Sequence, residues 1–314
     1  MISYLEFEKP VAELEQRIAE LRAAAEGDDV DISNELQRLE LKSAALLTST
    51  YETLTPWQKT QVARHPSRPH FRDYVEYAFD EFVPLGGDRS FGEDEAILGG
   101  FAKLDGRKVV LIGHEKGNDT ASRLRHNFGM GKPEGYRKAI RLMELAGRFD
   151  LPVVTLVDTS GAFPGVEAEE RGQAEAIARS TEACLALPVP IVAAIVGEGG
   201  SGGAVALASA ERVLMMEHAV YSVISPEGCA SILWRTAEKA PDAAEAMKVT
   251  AQDLESLGVI DRIVEEPVGG AHRDPRAAAT SLSDAIAEEL DKLGRHSADE
   301  LRRMREERFL RIAG

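Results

Sequence analysis

The sequence is poor in cysteine, with two in 314 residues, Cys184 and Cys229. Neither belongs to a CxxC pair, and neither lies beside histidines at the spacing of a zinc site. A disulfide framework and a cysteine-bound zinc therefore find no support. Because each cysteine lies within an apolar segment, we expect two buried free thiols and no metal in this chain.

The sequence also has little positive charge: 37 Lys and Arg stand against 53 Asp and Glu, and the net charge is −16. Proteins that bind nucleic acid do so mainly through basic patches that release counterions, so no nucleic-acid partner is expected. No stretch reaches the roughly 18 apolar residues that a membrane-spanning helix needs, and no basic segment followed by an apolar one opens the chain. These absences predict a cytoplasmic protein without membrane insertion.

Helical patterns are present at both ends of the sequence. In residues 10–65, apolar residues recur at the spacing of an amphipathic helix, with one polar break at 27–31. The two prolines of HPSRPHF, residues 65–71, end this pattern. We predict a helical N-terminal extension over residues 1–75 and a charged helical tail over residues 271–314.

Between the two extensions, residues 76–270 alternate between strand-like and helix-like segments, which predicts an α/β core. Two apolar runs joined by Asp105-Gly106 carry the strongest short signal for a β-hairpin. Helices are predicted to begin at Pro133 and Pro226, because proline suits the first turn of a helix. One uninterrupted helix is predicted over residues 167–187.

The run GEGGSGGA, Gly197 to Ala204, follows a predicted strand and precedes a predicted helix. Several backbone amides can then point to one spot beside the positive end of the helix dipole, and such a spot favours an anion. Glycine allows this arrangement because it leaves room for close approach to the backbone and adopts positive φ. The spacing leaves open which anion is bound.

One interpretation of the run is a dinucleotide site, because Gly197, Gly199 and Gly202 match GxGxxG and Glu217 lies about 20 residues further on. The short helix predicted after the run argues against this fold.

A second interpretation is a serine hydrolase, because residues 199–203 match GxSxG, and Asp261 and His272 follow Ser201 in the required order. Such a match arises easily in a glycine-rich run, and nothing in the sequence brings His272 to Ser201. The third interpretation is an oxyanion hole, in which fixed backbone amides stabilise a developing negative charge.

Motifs along nearly the whole chain favour the third interpretation. They are FEKPVAELE, ARHPSRP, RHNFGM, PEGYRKAIRLM, GAFPGVEAEERGQ, IVGEGGSGGA and YSVISPEGCASILW. Together they resemble the carboxyltransferase alpha-subunit family of bacterial multi-subunit acetyl-CoA carboxylases. The resemblance implies an α/β, crotonase-like (ClpP/crotonase) β-β-α superhelix with N-terminal and C-terminal helical extensions.

The resemblance also implies an activity that several subunits share. In this family, an alpha and a beta subunit form an α2β2 assembly that transfers the carboxyl group of carboxybiotin to acetyl-CoA, giving malonyl-CoA for fatty-acid synthesis. A separate biotin carboxyl carrier protein holds the biotin, and a biotin carboxylase completes the complex. The implied cofactor is therefore carboxybiotin, with none bound covalently to this chain.

The resemblance further implies the residues of the site. The amides of Gly202 and Gly203 are implied to hold the oxyanion of the biotin carbonyl. The residues implied to line the substrate site are Gly161, Ala162, Phe163, Gly165, Gly199, Gly200 and Ser201. No residue stands out as a general base, and Glu198 and Glu227 are interpreted as groups that brace the glycine run.

The sequence departs from the family pattern at Ser160 and Phe163, where proline and tyrosine are common, and at Gly131. Because Phe163 has no hydroxyl group, we predict that it packs and takes no part in the chemistry. A basic cluster is a candidate contact for a CoA phosphate or the acidic carrier, although its pattern is equally typical of a solvated helix face. Its members are Arg123, Arg125, Lys132, Arg137 and Lys138.

Overall fold

The computed structural model describes residues 3–25 and 33–313, so the polar break predicted at 27–31 lies outside the described residues. At its centre is one sheet of eight strands in the order β1-β2-β3-β4-β5-β6-β8, and β7 pairs with β5. The strands are β1 (Glu81–Pro84), β2 (Ile97–Leu104), β3 (Arg107–His114), β4 (Val153–Thr159), β5 (Ile191–Gly200), β6 (Arg212–Met216), β7 (Val220–Ser222) and β8 (Arg262–Val264).

Helices flank the sheet and form both ends of the described chain. Before the sheet come α1 (Lys9–Ala25), α2 (Ser33–Glu52), α3 (Pro56–Ala63) and α4 (Phe71–Ala78). Between strands lie α5 (Thr120–Arg125), α6 (Pro133–Phe149), α7 (Val166–Glu170), α8 (Gln173–Ala186), α9 (Ser201–Ala208), α10 (Pro226–Trp234), α11 (Ala240–Met247) and α12 (Ala251–Ser256). The last two are α13 (Pro275–Leu293) and α14 (Ala298–Ala313).

The predicted hairpin is confirmed: β2 and β3 pair antiparallel, with Leu104 opposite Arg107. Asp105 and Gly106 have φ of 53° and 73°, the left-handed conformation that a two-residue hairpin turn requires. From β3 onwards the neighbouring strands are parallel. Such strands are covered on both faces, and every residue of β4 and β5 is accordingly buried.

The helices predicted at Pro133 and Pro226 begin at these prolines. The helix predicted over residues 167–187 is wrong in one respect, because it is two helices, α7 and α8. They are separated at Gly172, whose φ of 83° is incompatible with a continuous α-helix. Apolar periodicity runs across this break and therefore does not reveal it.

Both cysteines are free thiols. Cys184 is buried in the core, as predicted, where its Sγ lies 3.7 Å from Met143 Sδ. Cys229 is partly exposed, so the prediction of burial is wrong there. It lies in α10, and the second half of that helix faces solvent.

Buried arginines join both ends of the described chain to the core. Near the start, Arg68 is completely buried and places its guanidinium 2.6 Å from Glu266. At the other end, buried Arg305 donates to the carbonyl oxygens of Cys184 and Leu187. The proposed boundary at residue 75 falls within α4, and the division into three regions stays a prediction. Among residues 3–25 and 33–313, no helix is long and apolar enough to cross a membrane.

Candidate functional site

The glycine run lies where β5 passes directly into α9. Strand β5 continues through Gly200, because Glu198 to Gly200 pair with β7, and α9 begins at Ser201. Gly202 and Gly203 are thus the second and third residues of the helix. Amides at these positions have no carbonyl acceptor within the helix, and they lie at the positive end of its dipole.

The structure brings the glycine run into contact with the loop after β4, which contains Gly161 and Ala162, two of the residues expected to line the substrate site. A Cβ atom at Gly200 would lie 2.2 Å from the carbonyl oxygen of Ser160. A Cβ atom at Gly203 would lie 2.8 Å from the carbonyl carbon of Gly161 and 2.9 Å from the amide nitrogen of Ala162. Both positions therefore require glycine. Gly202 has more room, since a Cβ atom there would be 3.4 Å from a methyl group of Ile177.

Gly199 is held on the strand side of the same junction. It pairs with Thr159 of β4 on one side and with Tyr221 of β7 on the other. A Cβ atom at Gly199 would lie 2.9 Å from the Tyr221 ring. Close packing, rather than an unusual φ, is therefore the reason for glycine at this position.

Hydrogen bonds fix the loop after β4. Thr159 Oγ1 accepts a bond from the Gly161 amide at 3.1 Å, and the Phe163 amide donates to the Gly131 carbonyl oxygen at 2.9 Å. The Gln173 side-chain amide donates to the carbonyl oxygens of Gly131 and Phe163, at 2.8 and 3.1 Å. The loop at Gly131 and the loop after β4 thereby form one unit.

Phe163 and Gly165 have packing contacts within this loop. The Lys132 ammonium lies 4.6 Å from the centre of the Phe163 ring. Gly165 caps the start of α7, and a Cβ atom there would lie 2.2 Å from the Phe163 ring. The close approaches that join this loop to the glycine run are made by Ser160, Gly161 and Ala162.

The structure argues against a serine nucleophile. Ser201 is exposed and has a φ of 51°, whereas the other two candidates are engaged elsewhere. Asp261 accepts hydrogen bonds from the Val213 amide at 2.7 Å and from Arg308 at 2.5 Å. The His272 ring stacks on His65 with a centroid separation of 3.8 Å.

The structure also argues against a dinucleotide site. The helix after the run has eight residues. The Glu217 carboxylate, which that interpretation assigns to a ribose, accepts a hydrogen bond from the backbone amide of Glu266 at 3.2 Å.

A group of charged side chains contacts the glycine run and the strand β5 that leads into it. Arg64 places its guanidinium 2.5 Å from Glu198 and 2.6 Å from Glu227, so both carboxylates brace the run through one arginine. Asp158, at the end of the neighbouring strand β4, accepts a hydrogen bond from the Glu198 backbone amide at 2.9 Å. Its carboxylate lies 2.6 Å from the Lys116 ammonium.

Asp158 is completely buried, yet it stays ionised. Burial raises the pKa of Asp158, but the Lys116 ammonium and the hydrogen bond with His70 lower it by more than burial raises it. The resulting pKa is well below the usual value. Sequence reasoning missed Arg64, Asp158 and Lys116. The available signals were the ARHPSRP motif, which includes Arg64, and the position of Asp158 at the carboxyl end of a buried strand.

A cavity of about 240 Å³ opens beside these groups. Its lining includes Arg64, His70, Lys116, Arg123, Ser160 and Glu198. The cavity therefore reaches both the loop after β4 and the glycine run. Its walls carry charges of both signs, which suits a polar ligand.

The basic cluster is largely engaged within the chain. Arg125 lies 2.5 Å from Glu95, and Lys132 lies 3.8 Å from Glu167. Lys138 is buried against Glu93, and Arg137 donates to the carbonyl oxygen of Arg171. Arg123 lines the cavity and donates to the carbonyl oxygens of Gly117 and Pro66, at 3.4 and 3.5 Å. In the part of the chain that the structure describes, no group of three His, Cys, Asp or Glu residues could hold a metal ion.

Comparison with known proteins shows close relatives over the full length. A family model described as acetyl co-enzyme A carboxylase carboxyltransferase-like matches residues 4–313. The chain is 84% identical over 314 residues to the acetyl-coenzyme A carboxylase carboxyl transferase subunit alpha of Erythrobacter litoralis, covering 100% of both chains. It is 68% identical over 314 residues to the protein of the same name from Zymomonas mobilis, again covering 100% of both.

Solved structures share the fold at low sequence identity. A transcarboxylase 12S matches with a TM-score of 0.59 and 19% identity, over 72% of this chain and 42% of its own, so this chain spans less than half of that protein. A Pseudomonas malonate decarboxylase hetero-tetramer in complex with coenzyme A matches with a TM-score of 0.58 and 17% identity, over 70% of this chain and 87% of its own. The crotonase-like α/β fold expected from the sequence is confirmed.

Proposed function

From the premise that this chain belongs to the family of acetyl-CoA carboxylase carboxyltransferase alpha subunits, we propose that it acts together with a beta subunit. The chain is a carboxyltransferase subunit of a biotin-dependent enzyme. In our proposal the pair forms an α2β2 assembly and transfers the carboxyl group of carboxybiotin, held on a separate carrier protein, to acetyl-CoA. A biotin carboxylase reloads the carrier.

We assign the oxyanion hole of the biotin side to the amides of Gly202 and Gly203. The observation that carries this assignment is the direct passage from β5 into α9, which places both amides in the first turn of a helix. The donor set fits the task, because the loss of a carboxyl group leaves negative charge on the biotin urea oxygen. Fixed N–H donors stabilise that charge without reorganising during the reaction.

The remaining residues of the site hold these donors in place. Glycine at positions 200 and 203 lets the loop after β4 approach the helix start to contact distance. Arg64, through Glu198 and Glu227, and Asp158, through the Glu198 amide, fix the end of β5 from the other side. Such positioning matters because a misplacement of about 1 Å can cost about 100-fold in rate.

Reconstitution tests the proposed activity. The chain is mixed with a beta subunit from a close relative, and carboxyl transfer from malonyl-CoA to biocytin is measured. We expect transfer by the mixture and none by either subunit alone, because each is proposed to supply one part of the site. A folded, assembled mixture without transfer would contradict the proposal.

A further inference from the structure

Tyr136 carries a hydroxyl group whose burial needs an explanation. Its side chain in α6 is fully buried, and within residues 3–25 and 33–313 its Oη atom has no hydrogen-bond partner. Buried polar groups nearly always have a partner, because an unpaired hydroxyl destabilises the folded state relative to phenylalanine. Packing alone would therefore favour phenylalanine at this position.

The hydroxyl lies where the two glycine-bearing loops and the helix start meet. A Cβ atom added at Gly203 would be 3.0 Å from Tyr136 Oη, and one added at Gly131 would be 3.1 Å from it. The same Cβ atom at Gly203 would touch the backbone of Gly161 and Ala162, at 2.8 and 2.9 Å. The absence of side chains at Gly131 and Gly203 thus makes the space that the hydroxyl fills.

We propose that the Tyr136 hydroxyl is a positioning group for carboxyl transfer, which fixes the separation of Gly203 from the loops at Gly131 and Gly161. This inference rests on the proposed function of the Gly202 and Gly203 amides. Because Oη is buried, it does not touch the substrate and acts through Gly203. Oη occupies the space beside Gly203 and Gly131, and Gly203 in turn lies against the backbone of Gly161 and Ala162. We expect that removal of Oη leaves a gap into which these segments relax, so that the two amides no longer point to one spot.

The hydroxyl also stays neutral. Burial, followed by the nearby charge of Asp94, raises the pKa of Tyr136 well above its usual value. A neutral phenol adds no negative charge behind amides that are proposed to stabilise an oxyanion.

The test compares Tyr136→Phe with Tyr74→Phe in the reconstituted αβ enzyme. Tyr74, in α4, is a matched control, because it is also fully buried and its hydroxyl also has no partner among the described residues. We expect Tyr136→Phe to lower kcat by about 10- to 100-fold with a much smaller change in KM for biocytin, because misaligned donors weaken the transition state most. Its melting temperature should stay the same or rise, whereas Tyr74→Phe should keep wild-type kcat.

A merely structural hydroxyl would behave differently. If Tyr136→Phe stays within about twofold of wild-type kcat, or if its loss matches the loss of folded protein or the effect of Tyr74→Phe, the inference is wrong. The activity of the wild-type assembly distinguishes a failure of the proposed function from a failure of the inference on Tyr136. A wild-type assembly that lacks transfer refutes the proposed function and this inference with it, whereas active wild type with an equally active Tyr136→Phe refutes the inference alone.

Discussion

The two strand-to-helix junctions of the site contain glycine for different reasons. At the junction of β5 and α9, glycine is needed at 200 and 203 because a neighbouring backbone lies within 2.9 Å of each Cβ position. At the junction of β4 and α7, Gly161 has no atom within 4 Å of its Cβ position, but its φ of 149° is one that other residues rarely adopt. The first junction places amide donors at a helix start, and the second provides the wall that holds them.

The largest effect should follow from removing a donor at the first junction. Gly202→Pro deletes one N–H at a position where no intrahelical bond is lost. Proline also restricts Ser201, whose φ is 51°, so the assembly of this variant is checked as well. We expect kcat for biocytin carboxylation to fall by about 100- to 1000-fold. Gly202→Ala is the control, because it keeps the N–H and has room for its methyl group, so near-wild-type activity is expected.

If Gly202→Pro and Gly202→Ala have equal activity, the assignment of the Gly202 amide to the oxyanion hole is wrong. The chain would then act as an organiser of its partner rather than as a contributor of donors. Size-exclusion chromatography with the beta subunit shows whether both variants still assemble.

The next effect concerns Asp158, which connects the two junctions. Asp158→Asn removes the buried carboxylate that lies 2.6 Å from the partly buried Lys116 ammonium, and breaking such a pair costs about 3 kcal/mol of unfolding free energy. Asp291→Asn serves as a control, because Asp291 is exposed and pairs with Arg107 at the surface. Urea unfolding at neutral pH measures both.

The effect of Asp158 should depend on pH with a defined sign. Its folded pKa lies below the unfolded value of about 3.9, so the stabilisation is complete above about pH 4 and declines as pH falls through the folded pKa. The difference between wild type and Asp158→Asn should therefore be constant above about pH 5 and shrink below about pH 4. A difference that grows on acidification would contradict the assigned charge state.

Overpacking of the first junction should have a smaller effect on stability. In Gly203→Val the new Cβ atom meets the backbone of Gly161 and Ala162, and such overpacking costs about 1–3 kcal/mol. This variant should lose activity and also shift the loop after β4, so its loss does not isolate the amide. Chemical denaturation measures the stability of Gly203→Val and of Gly202→Ala side by side. Gly202→Ala should be at least as stable as wild type, which would show that only position 203 requires glycine for packing.

The smallest effect is expected for the ion pairs of Arg64 with Glu198 and Glu227. Arg64→Ala removes the bridge between Glu198 and Glu227, and we expect a loss of about 1 kcal/mol, because the arginine is partly exposed and the pairs are screened. Arg179→Ala, which removes a solvent-exposed pair with Glu182, should have a smaller effect on stability. Thermal unfolding measures both variants. Equal losses of stability in Arg64→Ala and Arg179→Ala would contradict a special role for Arg64.

Local chemistry made much of the fold predictable. Asp105-Gly106 forms a hairpin because both residues readily adopt positive φ, and Pro133 and Pro226 start helices because proline has no N–H to leave unpaired. The helix break at Gly172 escaped prediction, since the apolar period on either side of it is the same. The strand character of Glu198 to Gly200 escaped as well, because glycine has low intrinsic preference for strands.

The sequence by itself determined the family and the alternation of strands and helices in the core, and it predicted the run that is proposed to hold an anion. Its motifs are local patterns of side-chain chemistry, and such patterns are readable without coordinates. Tertiary structure decided which glycines are required by contact, and it brought Arg64 to Glu198 and Tyr136 to Gly203. The residues of each pair lie far apart along the chain, and sequence patterns do not report the spatial distance between such residues.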